Sequence, residues 1–350
     1  MKVKSKNKLL IFFMSLAFLC GCWNIKDINK RSLPLVMGIS KDGNKEYKVT
    51  IQTPILEDDI QKSRVITENG ETVAGVLGQI RTNSEDAVDY SQIRLIVIQS
   101  NLANNQKEFK GLIKFLMVSE EIPSRALVAI TDEEVEKVLD NINEKLGVHA
   151  TSIYDFFNKG DDWAPEIIST PVWDIYRSQY LLTKDIVVPI IRSGKDTVLI
   201  FEGACILKKG EIIERINKHE SQLVNVFQDK NEKGKIESLG FASVMVTNSS
   251  IQNKISFKKK IPVVTSDLKL KIYILEREDG ISDKKIRTEL EKLIEKRFYY
   301  ILRKTQEKNA DIFGFGQQFK HLLSYQKLKD WRKDYYPKLK VNFTVHANME

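Results

Sequence analysis

"SDKKIRTELEKLIEKRFYYILRKTQEKN", residues 282–309, decides the fold class of this chain. Ile286, Leu290, Leu293, Ile294, Phe298 and Ile301 recur at the spacing of one helix face, and charged residues fill most other positions. Ser282 stands where an N-cap is wanted, and Asp283 sets a negative charge beside the free N–H groups of the first turn. The segment just before it, "DLKLKIYILE" (267–276), alternates Leu268, Leu270, Ile272 and Ile274 with mostly polar residues, the period of a strand with one wet face. A closing strand is expected in "LKVNFTVHA" (339–347), with Val341, Phe343 and Val345 on its buried side. Strands gathered under one long helix make an α+β layout, not a doubly wound parallel sheet.

Further upstream, "TVLIFEGACILKKGEIIERI" (197–216) reads as a hairpin turning at "KKGE". "LGFASVMVTN" (239–248) and "QNKISFKKKI" (252–261) read as two more strands. Ahead of residue 150, "EYKVTIQT" (46–53), "IRLIVIQ" (93–99) and "SRALVAI" (124–130) are strand-like. They alternate with helical spacing in "TVAGVLGQIRT" (72–82), "FKGLIKFLMV" (109–118) and "TDEEVEKVLDNINEKL" (131–146), the last with Thr131 as the expected N-cap. Between these halves, "DDWAPEIISTPVWD" (161–174) is rich in proline and tryptophan, "IYRSQYLL" (175–182) is helix-like and "DIVVPII" (185–191) is a strand. The polar break "RSGKDT" (192–197) follows. The expectation is a multi-domain α+β protein of two to three small mixed sheet and helix domains. A mixed region spans 22–193, and 197–350 forms an antiparallel-rich sheet covered by the long helix.

The 350 residues carry a formal charge of +8. Residues 1–21 hold four lysines and no acid, and without them the charge is +4, thinly spread along the sequence. Lys258-Lys259-Lys260 is short and not interleaved with aromatics, so the sequence argues against nucleic-acid binding. The lysines are followed by "LLIFFMSLAFL" (9–19), an apolar run too short to cross a bilayer and of the right length for a signal-peptide core. Leu19-Cys20-Gly21-Cys22 resembles the bacterial lipobox, in which the thiol of the last cysteine receives a diacylglyceryl group and becomes the new N-terminus. Residues 1–21 are therefore expected to be a lipoprotein signal peptide, and Cys22 the lipidated residue. One chain of myristoyl length holds a protein only marginally, whereas two chains anchor it. Cys205, the one cysteine left over, sits in an apolar run and is expected to be a core residue.

Catalytic patterns are missing. His149, His219, His321 and His346 share no ligand spacing, and no H-E-x-x-H, G-x-S-x-G or P-loop occurs. "GFGQQF" (314–319) has Phe319 where a dinucleotide fingerprint wants its third glycine. Asp58-Asp59 and Asp161-Asp162 are adjacent acids in polar surroundings, a pattern usual for solvated turns. No enzyme, no cofactor and no metal site is expected. In "DIFGFG" (311–316), Phe313 and Phe315 are expected to pack inward as the glycines bend the chain.

The chain resembles the Ger(x)C family, the lipoprotein C subunits of nutrient germinant receptors in spore-forming bacteria. The resemblance rests on "GCW" at the lipidation site, "LVMGIS" leading to "YKVTIQTP", "IRLIVIQSNLA", and above all "DIFGFG" followed by "W…YYPKLKVNFTV". The middle segment "ERINKHESQLVNVFQDKNEKGKI" is only loosely similar. The resemblance implies a protein held on the outer face of the spore inner membrane, acting with an A-type and a multi-spanning B-type subunit. It implies no catalytic residue, and Cys22 is the single position it carries over. The alternative is a substrate-binding lipoprotein that delivers a small molecule to a membrane transporter; a surface-anchored hydrolase is disfavoured by the missing motifs.

Overall fold

The computed structural model describes residues 31–43, 46–57, 60–158, 164–228 and 234–350. Its larger sheet has eight strands in the order β10-β9-β8-β7-β6-β2-β3-β4. These are β2 (Val36–Lys41), β3 (Tyr47–Glu57), β4 (Ile60–Gly70), β6 (Leu95–Gln99), β7 (Leu127–Thr131), β8 (Ile186–Ser193), β9 (Leu199–Lys208) and β10 (Glu211–Asn217). Two short strands, β1 (Arg31–Ser32) and β5 (Ala87–Val88), pair separately. The four central strands, β2, β6, β7 and β8, are mutually parallel, and an antiparallel hairpin extends each edge.

Parallel strands need helical crossovers, which cover both faces of a sheet, so such strands read as continuous apolar runs. "LVAIT" in β7 is buried at every position. Helices α1 (Val73–Asn83), α2 (Gln106–Val118) and α4 (Val172–Ser178) pack Ile80, Phe109, Ile113 and Ile175 onto one face. Helix α3 (Val135–Leu146) packs Val135, Val138, Leu139 and Ile142 onto the other.

The smaller sheet, β11-β12-β13-β14, comprises Ile236–Ser238, Ala242–Lys258, Ile261–Arg277 and Lys340–Met349. Helix α6 (Asp283–Glu307) covers it, after α5 (Lys218–Val226). The multi-domain α+β class and the antiparallel-rich sheet under a long helix are both present. Ser282 caps α6 through its hydroxyl, which accepts from the Lys285 N–H, and Ile286, Leu290, Ile294, Phe298 and Ile301 are buried. Leu293 lies at the border of that face and is half-buried.

Several local expectations change. The two strands read from 239–248 and 252–261 are one 17-residue strand, β12, whose bulges at Ser243/Val244 and Val246/Asn248 interrupt the alternation seen in the sequence. The last strand, β14, runs parallel to β13, because α6 returns the chain to the end where β13 began. Thr131 is not the N-cap of α3: it ends β7, its hydroxyl accepts from the Glu133 N–H, and Glu134 occupies the cap position. Helix α4 begins at Val172, earlier than "IYRSQYLL" suggested. The hairpin β9–β10 hydrogen-bonds to β8 and so extends the larger sheet, because β8, buried over its first six residues, needs a neighbour on each side.

The two sheets share one core. A continuous buried cluster runs from Leu35, Val97 and Leu139 beneath the larger sheet to Val264, Phe298 and Val345 under the smaller one. Its aromatic centre is Phe227, whose ring lies 5.4 Å from Phe298, 4.7 Å from Phe313, 5.3 Å from Phe315 and 5.9 Å from Phe343. Phe298 also stacks on Phe343 at 4.2 Å. Aromatic pairs at such separations add to the area they bury. Phe298→Ala removes the ring that links helix and sheet. Urea unfolding should show a loss of about 3–5 kcal/mol, and a loss under about 1 kcal/mol would mean the cluster is not where the sheets are joined.

Candidate functional site at the domain junction

Where the segment before β8 meets the turn after α6, a set of charged groups is buried. Asp185 and Asp311 are fully enclosed and Arg332 nearly so. Burying ions is costly unless their hydrogen bonds are complete, and here they are. All five Arg332 N–H groups find acceptors. Nη1 donates to the carbonyls of Leu181 (2.9 Å) and Leu182 (2.7 Å). Nη2 donates to the Lys184 carbonyl (2.9 Å) and to Asp185 Oδ1 (2.8 Å), and Nε donates to Asp185 Oδ2 (2.9 Å).

Asp311 completes the arrangement from the other side. Its N–H donates to Asp185 Oδ2 at 2.9 Å, and its carbonyl accepts from the Asp185 N–H at 2.8 Å. Its carboxylate accepts from the Phe315 N–H (3.0 Å), the Gly316 N–H (2.7 Å) and Trp331 Nε1 (2.9 Å). The glycines of "DIFGFG" make this geometry available. Gly314 is left-handed at φ 71°, and a Cβ on Gly316 would lie 2.4 Å from Trp331 Nε1. Burial raises the Asp311 carboxyl to about 7, against the pull of its three N–H donors.

In this constellation the guanidinium and both carboxylates are enclosed and hydrogen-bonded. What it can do is hold the segment 311–332 in one orientation against 181–185, across 126 residues of chain. A second tie runs alongside: Lys208 Nζ donates to the Lys308 carbonyl, and Lys304 Nζ to the Arg215 carbonyl. Sequence reading found Phe313 and Phe315, which are buried as expected, but missed Asp185, Asp311 and Arg332 as a unit. The available signal was charge against apolar runs, Asp311 in "NADIFGFG" and Asp185 at the head of "DIVVPII"; Arg332, among other charges in "DWRKDYY", had none.

The other sequence candidates lie apart from it. Cys22 and the pairs Asp58-Asp59 and Asp161-Asp162 are outside the described residues. Cys205 is buried in β9, and burial pushes its thiol up to about 12, so it is inert. His149 and His321 are exposed, His219 lies on α5 and His346 on β14. Among the described residues no group of three His, Cys, Asp or Glu side chains could hold a metal ion.

Fold and junction together define the class: a multi-domain α+β protein whose two sheets are locked by a buried polar node. The first half, residues 24–193, matches the family model described as the spore germination protein N-terminal domain. Residues 202–350 match the one described as spore germination B3/GerAC like, C-terminal. The chain belongs to this GerAC family of spore germination proteins. Spore germination protein B3 of Bacillus subtilis (strain 168) is 28% identical over 134 residues, 36% of this chain and 35% of that protein. The aligned stretch thus spans about a third of that relative's length. The crystal structure of the GerBC protein superposes with a TM-score of 0.57, covering 89% of this chain and 96% of the other at 13% identity, which shows a shared fold.

Two outcomes follow from the node. Arg332→Leu strips the buried Asp185 of its charge partner and should lower stability by about 3–5 kcal/mol in urea unfolding. An apolar pair at both positions should recover much of that. Asp311 also imposes a pH slope. Its carboxyl is raised from 3.8 to about 7, so between these values the native state keeps a proton that the unfolded chain has released. The resulting stabilisation is complete below the lower value and is lost as pH rises through the upper one. Carboxyl-carbon NMR of Asp311 should show a midpoint near neutrality, and a midpoint in the ordinary aspartate range would refute the slope.

Proposed function

We propose that this chain is a lipid-anchored, extracytoplasmic subunit of a nutrient germinant receptor, the C-type subunit of its family. It is attached through a diacylglyceryl group on Cys22 once residues 1–21 are removed. The mature body comprises an N-terminal region, 22–193, and a C-terminal domain, 197–350. It sits on the outer face of the spore inner membrane, works through contacts with A-type and B-type receptor subunits, and has no catalytic role. The observation that carries this reading is family membership across both halves of the chain, together with Leu19-Cys20-Gly21-Cys22 directly after an apolar leader.

The physics of surface confinement supports it. An anchored protein meets its membrane partners at a raised effective concentration without needing larger contacts. Among the described residues no helix is long and apolar enough to cross a membrane. A rigid junction suits a subunit that transmits contacts. The substrate-delivery alternative wants two doubly wound lobes around a cleft. The described body instead has one mixed eight-stranded sheet and a smaller sheet fused to it by a shared core.

Intact mass of the protein extracted from spore membranes should show a chain beginning at Cys22 and bearing the diacylglyceryl mass. Cys22→Ala should leave the membrane fraction after a high-salt wash, and nutrient-triggered germination should fall in a strain that has no other copy. An unmodified Cys22, or a variant that stays on the membrane with unchanged germination, would remove the anchoring reading.

A further inference from the structure

The chain's positive charge is not evenly distributed once it is folded. The hairpin between β12 and β13 carries Lys254, Lys258, Lys259 and Lys260, all exposed. The loop region between α6 and β14 adds exposed Lys320, Lys327, Lys329, Lys333, Lys338 and Lys340. The fold places both groups at one pole. Lys340 pairs with Val263, which pairs with Ser256 near the hairpin tip, and Phe257 packs against Phe319 (5.2 Å) and Tyr335 (6.4 Å). None of these ten lysines is ion-paired to a carboxylate among the described residues. Only Asp330 and Asp334 offset them, because Arg332 is already neutralised by Asp185. The pole therefore holds about twice the +4 carried by the chain without its first 21 residues, and the rest of the body is net negative.

Two further features mark this pole. The hairpin turns on Lys259 and Lys260, both left-handed at φ 49° and 68°. A two-residue turn of this kind favours Asn-Gly, so lysine is held there against its own conformational preference. Beside the charges, Leu322 and Tyr325 are 54% and 64% exposed, and Lys329 Nζ lies 4.9 Å from the Tyr325 ring centroid. Exposed apolar and amphipathic side chains rimmed by unpaired lysines are the chemistry of a lipid-headgroup interface, with the rings at headgroup level and the ammonium groups among phosphates.

We propose that this pole docks the body onto an anionic phospholipid surface, with Lys258, Lys259, Lys260, Lys338 and Lys340 on headgroup phosphates and Leu322 and Tyr325 entering the interface. The inference rests on the anchoring reading for its setting, but the test does not use the anchor. Charge complementarity selects the occupant: a body that is net negative elsewhere presents its cations at this end, and a tether alone would leave its orientation free. Docking would fix which face is left for protein partners.

The contacts that build both sheets lie within residues 31–350, so a chain beginning at residue 23 keeps them. It would be sedimented with vesicles of phosphatidylcholine alone or mixed with phosphatidylglycerol, at low and high salt. Binding should require the anionic lipid and weaken steeply with salt. Lys259→Asn/Lys260→Gly should lower binding by about thirtyfold while raising the thermal midpoint, because the turn is relieved; a folding defect would move both downward. Tyr325→Ser should reduce the binding that survives high salt. Lys107→Glu/Lys114→Glu/Lys137→Glu, which carries a larger charge change elsewhere on the surface, should bind as the wild type does. Equal binding to neutral vesicles, no loss in the turn variant, or an equal loss in the control each overturns the proposal. Retention by membrane proteins without vesicle binding would assign the pole to an acidic protein surface and also overturn it. Because no lipidated residue is present, failure here leaves the Cys22 result standing, and failure of Cys22 lipidation leaves this one.

Discussion

A guanidinium group with all five of its donors engaged, closed off from water between two parts of the chain, is the constraint on which the rest of the architecture depends. Arg332 comes from the segment after the long helix, and its acceptors come from the segment that enters β8. A buried ion of this kind is a weak source of stability, since its desolvation offsets most of what it gains. Its value is directional. Carbonyls and a carboxylate at fixed angles accept a planar fork in one orientation, and a purely apolar contact would tolerate sliding. The adjoining Asp311 carboxylate gathers two backbone N–H groups and the Trp331 indole around the same point.

Around that node the apolar contacts supply the bulk of the cohesion. The core beneath α3 continues through α5 to the aromatic rings between α6 and the smaller sheet, so one buried cluster joins the two sheets. Phe227 is central because it follows the last turn of α5, which docks against the larger sheet, while its ring enters the smaller domain. Asn225 on the same helix donates to the carbonyls of Pro165 and Ile167 and ties the proline-rich segment into place. A receptor subunit of the kind proposed above would gain from such stiffness, because a contact on one surface is then felt at another without loss to internal hinge motion.

The electrostatic layout points the same way. Ion pairs such as Arg215–Asp132 and Arg64–Glu85 are scattered over the larger domain, and they neutralise its cations locally. At the hairpin-tip end of the smaller sheet the lysines have no such partners. The asymmetry exists only in the folded chain, where a hairpin tip and a loop, 62 residues apart in sequence at their contact, meet through Phe257 and Phe319.

Sequence by itself determined what depends on local period and local chemistry. The face of α6, the alternation in β13, the buried β6 and β7 and the cap at Ser282 all follow from residues within a turn or two of one another. The bend at "DIFGFG" was legible for the same reason, as were Phe313 and Phe315 as inward-facing rings. Tertiary structure alone decided what depends on residues far apart. It merged two apparent strands into β12 by bulges, set β14 parallel to β13, and added β9–β10 to the larger sheet. It also brought Asp185 within reach of Arg332, 147 residues away. Charge in an apolar run is ambiguous when read alone, because its cost is set by a partner that local pattern cannot name; only the fold supplies that partner.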